Sequence, residues 1–173
     1  MVFKMLAAVL VVGAGVGLGF GMAEKLRQRP RQLRLLQYGL TMLQGEIRYR
    51  QSPLPAAFEA VAAQTKAPVG DVFAQLARQL VQADGKGLAW AWGEIKPRIQ
   101  EDLALLGEDV SLMDSLMLVL GGGGIHEQDR QLTLHLRHLQ QQEAQAEIAR
   151  QAGEKMWCYL GLFSGLALVI ILL

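Results

Sequence analysis

Three histidines, His126, His135 and His138, are the side chains of this sequence best suited to metal or acid–base chemistry, and Glu127 and Asp129 lie beside the first. A metal site needs three or four ligands converging from fixed directions. His135 and His138, three residues apart, share a helix face, but the carboxylates do not recur at helical spacing with both. The preferred reading is histidines facing solvent along a polar stripe. A membrane-bound metal-dependent enzyme using His126, Glu127 and Asp129 is the alternative. Gly121–Gly124 has no Gly-Lys-Ser/Thr after it and no strand before it, so it reads as a helix–helix connection and not a phosphate loop. The one cysteine, Cys158, lies in an apolar run and has no partner for an internal disulfide, which suits a reducing compartment. No nucleophile is paired with a base. The chain is expected to be no enzyme, with no catalytic residue, metal or cofactor.

The elements that must position these residues are set by where charge is missing. Residues 5–23 and 156–173 contain no Asp, Glu, Lys or Arg, while all 16 acidic residues and every basic residue except Lys4 lie between them. A lipid core takes about 20 mainly apolar residues per spanning helix, so the first run fits and the second is near the lower limit. The expected molecule has membrane helices at 5–23 and 156–173 and a polar domain at 24–155. A cleaved signal peptide is the rival reading of the N-terminus, with Lys4 as its basic start and Gly19–Ala23 as its small-residue end. Five basic residues against one acid over residues 24–34 favour a retained helix, because such charge stays on the cytoplasmic side. The polar domain is therefore expected in the cytoplasm, with both termini outside. A net charge of +1 gives no basis for a nucleic-acid partner.

Gly13, Gly17 and Gly21 recur every four residues in the first run, as do Gly15 and Gly19, and Gly161 and Gly165 do so in the second. Small residues at this interval let two helix backbones close up where lipid gives them no hydrophobic drive to associate. The expected contact is with each other, with other membrane subunits, or with a second copy in a homo-oligomer. Trp157 and Tyr159 suit an interfacial anchor.

Between the runs, strand alternation is absent and helical spacing is everywhere. Leu33, Leu36, Leu40, Leu43 and Ile47 mark a helix after Pro30, where the membrane helix is expected to end or kink. Ser52 as cap and Pro53 in the first turn open a second through Leu54, Phe58 and Val61. Pro68 opens a third over Val69, Val72, Phe73, Leu76 and Leu80, ended by Asp84–Gly87. A fourth carries Leu88, Trp92, Ile95 and Ile99, with an interruption expected near Pro97. The fifth carries Leu103, Leu106, Val110, Met113, Met117 and Leu120 and stops at Gly121–Gly124. The sixth starts near His126, presents Leu132, Leu136 and Leu139, and continues through Gln140–Glu154 as a stalk. Trp90 and Trp92 are read as core. The fold class is all-α: a small bundle of about six helices flanked by an N-terminal and a C-terminal transmembrane helix.

The segment Lys25–Arg34 has two readings. Beside an anionic leaflet each Lys or Arg adds about 1 kcal/mol of attraction, which makes the segment a topological device. Alternatively, Arg27, Arg29, Arg31 and Arg34 bind an acidic partner surface.

The chain as a whole resembles the stage III sporulation protein AB family of endospore-forming bacteria. The likeness rests on Arg29-Pro30-Arg31-Gln32-Leu33-Arg34 directly after the first apolar run, on Glu46-Ile47-Arg48-Tyr49, and on Ser52-Pro53-Leu54 followed by Ala56-Ala57-Phe58-Glu59-Ala60. A later Trp (Trp90 or Trp92), Gly124-Ile125 with Glu127 and Gln131, and the closing Lys155-Met156-Trp157-Cys158-Tyr159-Leu160-Gly161 complete it. Gly123-Gly124 departs from the family's Leu-Gly, and Glu127 stands where the family has Asp. The resemblance implies a mother-cell membrane protein of a channel-like complex linking mother cell and forespore. It implies a cytoplasmic bundle similar to those of F-type platform proteins in type II secretion and type IV pilus machines. Its implied partners are a hexameric secretion-type ATPase encoded nearby and other membrane subunits. The expected function is a non-enzymatic platform or adaptor, with a passive membrane anchor or chaperone acting without an ATPase as a third reading.

Overall fold

The computed structural model describes the backbone of residues 27–172 and the side chains of 27–153 and Met156. All regular elements among these residues are helical. Helix α1 covers 27–45 and runs on into a π-helical turn, Glu46–Arg50. It is followed by α2 (Leu54–Gln64), α3 (Val69–Gln82), α4 (Gly87–Asp102), α5 (Gly107–Leu120) and α6 (Ile125–Leu172). The chain divides into two compact units, one spanning Arg31–Ala144 and the other made of the two ends, Met1–Pro30 and Gln145–Leu173.

Helix α1 buries the face its leucine spacing marks: Leu33, Leu36, Leu40, Leu43 and Ile47 are all at most 3% exposed. Of the end or kink expected at Pro30, the end is not found. Residues 27–29 are helical too, the Pro30 ring is buried, and proline's fixed φ is itself a helical value. Opposite this face lie Phe58 of α2 and Phe73 of α3, both fully buried, with ring centroids 6.2 Å apart and planes 20° from parallel. Gly39 makes that approach close, since a Cβ there would overlap the Phe73 ring. Met113, Leu116, Met117 and Leu120 of α5, with Leu132 and Leu139 of α6, complete the core. Each such side chain contributes on the order of 1.5–3 kcal/mol by leaving water.

Helix α4 is continuous through Pro97, where an interruption was expected. Buried Ile95 and Ile99 hold both halves to one face. The carbonyl that loses its donor belongs to Gly93, which is exposed and open to water. Helix α5 starts at Gly107, later than the sequence pattern suggests, so Leu106 is its N-cap and is 52% exposed, not a core residue. Buried Asp109 fixes this start by accepting the Leu106 N–H at 2.9 Å. Helix α2 is preceded by Pro53 as N-cap. Ser52, expected to cap it, instead donates its hydroxyl to the Glu46 carboxylate at 3.1 Å.

The Gly121–Gly124 connection has a property its composition hides. None of its glycines has a positive φ, and a Cβ at Gly122 or Gly124 would meet nothing within 4 Å. Gly122→Ala and Gly124→Ala are each expected to raise stability by about 0.4–1 kcal/mol, by restricting the unfolded chain. A higher urea midpoint is the readout.

Among the described residues no helix is long and apolar enough to cross a membrane. The run at 5–23 lies outside them, and so do the side chains of 157–173. Gly13, Gly17, Gly21, Gly161 and Gly165, expected to pack membrane helices, all fall there.

Candidate partner-binding surface

In the histidine region, His135 and Asp129 are engaged with neighbouring helices. His135 does not face solvent, as the sequence had suggested: it is 8% exposed and sits in the α5–α6 seam. Leu132 and Leu139, one turn to either side, share its buried face and draw it inward. Its Nδ1 lies 2.8 Å from the Gln131 carbonyl, which can only accept, so Nδ1 carries the proton and Nε2 faces the Ser115 hydroxyl at 3.0 Å. His126 and His138 are exposed. The Glu127 carboxyl accepts bonds from Gln131 at 2.7 Å and Arg130 at 3.3 Å, which together hold its pKa below the usual value. Asp129 accepts from Gln44 at 2.7 Å and pairs with Arg48 at 3.7 Å. Among the described residues no three His, Cys, Asp or Glu side chains are grouped as a metal ion requires.

Within the Arg31–Ala144 unit, α1 and α6 meet along a polar seam. Arg34 Nε donates to Glu143 at 2.7 Å, and Gln37 reaches the Leu139 carbonyl at 3.3 Å. Further along, Gln44 donates to Thr133 Oγ1 at 2.9 Å. Of the four arginines singled out from the sequence, Arg34 pairs with Glu143 and Arg27 and Arg29 also have partners, while Arg27, Arg31 and Arg34 are all exposed.

Between α4 and α5, Asp114 accepts from Trp92 Nε1 at 2.6 Å and from Lys96 Nζ at 2.7 Å. Partial burial pushes its pKa up, but the bonds from Lys96 and Trp92 and the Lys96 charge outweigh this and hold it below 3.8. A carboxyl depressed on folding adds stability above its unfolded pKa and loses it as the pH falls through the folded value. Asp114→Asn is expected to cost up to about 1 kcal/mol near neutrality, because the Asp114 side chain is 37% exposed and water screens its pair with Lys96. It should also remove this group's share of acid sensitivity, as urea unfolding at about pH 7 and about pH 3 would read.

Sequence reasoning used Glu46-Ile47-Arg48-Tyr49, the turn after α1, only as a mark of family resemblance and not as a candidate surface. The π-helical segment carries Arg48, Tyr49 and Arg50 into solvent, and Tyr49 is 78% exposed. The Arg48 guanidinium lies 5.4 Å from the Tyr49 ring centroid, and Arg50 pairs with Glu46 at 3.0 Å. Gln51, with φ of 50°, ends the turn. The available signal was three long polar or aromatic side chains placed directly after the last core residue, Ile47.

Comparison with known proteins covers nearly all of the chain. The family profile described as stage III sporulation protein AB matches residues 4–173. Stage III sporulation protein AB of Bacillus subtilis (strain 168) is 33% identical over 170 residues, 98% of this chain and 99% of that protein. A solved structure of stage III sporulation protein AB superposes with a TM-score of 0.67 at 30% identity, covering 72% of this chain and 98% of the solved one.

Proposed function

Because this chain belongs to the stage III sporulation protein AB family, we propose that it is a non-enzymatic platform or adaptor subunit of a secretion-like complex in endospore formation. In this reading the runs 5–23 and 156–173 span the mother-cell membrane, and the domain 24–155 lies in the cytoplasm. The bundle docks a hexameric secretion-type ATPase encoded nearby. The faces of Gly13, Gly17 and Gly21 and of Gly161 and Gly165 pack against one another, other membrane subunits or a second copy. Arg27, Arg29, Arg31 and Arg34 form a basic juxtamembrane contact for an acidic partner surface, and beside anionic lipid they also hold the cytoplasmic side. The observation that supports this reading is a family match along the full chain, uncharged ends included. His135, Asp129 and Asp114 fit it as well, since each is engaged between helices.

Topology is the test. In a chain carrying Cys158→Ser, a cysteine at exposed Ala89 is expected to resist a membrane-impermeant maleimide in intact cells and to react after permeabilisation. Cysteines at Val2 and Leu173 are expected to react from outside. Labelling of position 89 in intact cells would overturn the platform reading.

A further inference from the structure

We propose that the π-helical tip, Glu46–Arg50, is the surface by which the bundle docks an acidic protein in the cytoplasm. The proposal rests on the platform reading for where that partner lies.

The outward charge of the tip is positive because its acids are recessed. In the Arg50–Glu46 pair the side chains are 73% and 11% exposed, and in the Arg48–Asp129 pair 56% and 26%. Pairs with one partner this exposed contribute little to folding, so stability alone does not account for them. The carboxylates act instead as fixed struts beneath the guanidinium groups. Tyr49, between the two arginines, is 78% exposed, ahead of Val81 at 73% and Ile148 at 69%. Tyr and Arg are the residue types that most often dominate protein interfaces.

The backbone supports the same conclusion. A π-turn is rare and poorly bonded, and here Glu46 secures it from three sides. Its carboxylate accepts from Ser52 Oγ at 3.1 Å and forms an ion pair with Arg50 at 3.0 Å, and its carbonyl accepts the Ser52 N–H at 3.3 Å. Arg48 rests over the Tyr49 ring at 5.4 Å. A pair ordered in advance loses less side-chain freedom on binding.

With 1.5 Å of rise per residue, Glu46 stands about 22 Å along α1 from Arg31. That exceeds the ~8–10 Å over which charges act on one another in physiological salt, so the charge of the tip is separate from that of the basic stretch around Arg31. An exposed tyrosine between two arginines suits a protein surface, since both residue types are enriched where protein interfaces gain most of their affinity.

The experiment places a photo-crosslinking p-benzoylphenylalanine at Tyr49 of the full chain, in sporulating cells. The expected adduct is with one protein, through a peptide of net negative charge. Its yield should fall at least ~10-fold in Arg48→Glu/Arg50→Glu and only a few-fold in the milder Arg50→Gln. The urea midpoint should stay unchanged in Arg50→Gln, which leaves the Arg48–Asp129 pair in place. No adduct, an adduct with lipid, nucleic acid or the chain itself, or a yield indifferent to both substitutions overturns the proposal. Capture of an acidic protein other than the ATPase keeps the tip and removes ATPase docking from the platform reading.

Discussion

Phe73→Ala is expected to lower the unfolding free energy of the Arg31–Ala144 unit by about 3–5 kcal/mol, the range for emptying a closed aromatic site. The ring is fully buried, faces Phe58 at 6.2 Å and presses against Gly39 of α1. It therefore joins three helices. Total stability of a domain this size is about 5–15 kcal/mol, so the variant should lose half or more of its margin in the weakest case. Urea unfolding of the full chain in detergent, followed by tryptophan emission, is the measurement. Buried Trp92 reports directly on this unit. A midpoint close to that of the parent chain would mean that α1 and α3 are not packed as described.

The second large effect runs the other way, by adding a methyl group. Gly39→Ala gains about 1 kcal/mol in helix propensity, but its Cβ would overlap the Phe73 ring. Overpacking of this kind costs about 1–3 kcal/mol beyond such gains. The decisive form is a double-mutant cycle with Phe73→Leu, which replaces the ring by a smaller, more adaptable side chain. Each change alone should destabilise, while the pair should be more stable than the sum, with coupling of about 0.5–3 kcal/mol. Strict additivity would remove the close approach from the account of this core.

Helix existence was legible in the sequence because apolar periodicity is a property of each segment alone. All five residues of the α1 stripe, from Leu33 to Ile47, proved buried. Boundaries were less legible because they depend on partners distant in sequence. Leu106 has the right spacing for the α5 stripe, yet buried Asp109 bonds its N–H and starts the helix one residue later. Pro97 looked like a break, and only the burial of Ile95 and Ile99 together with an exposed Gly93 shows why α4 absorbs it. Of the three histidines, exposed His126 and His138 match the expectation and only His135 was misjudged, for a similar reason. His135 is polar by type, but the Ser115 hydroxyl that accommodates it comes from another helix, 20 residues earlier in the chain. The tip was least legible of all, because a π-turn depends on Ser52 satisfying Glu46 and not capping α2. No local rule anticipates that exchange.

The open glycine connection between α5 and α6 also has a practical use. With no backbone strain to preserve and nothing above Gly122 or Gly124, a short epitope or a small fluorescent tag inserted there should leave the scaffold intact. Gln128 still closes the end of α5 by donating to the Leu120 carbonyl at 2.7 Å. The loop thus offers a place from which to image the protein in living cells while both chain ends remain untouched.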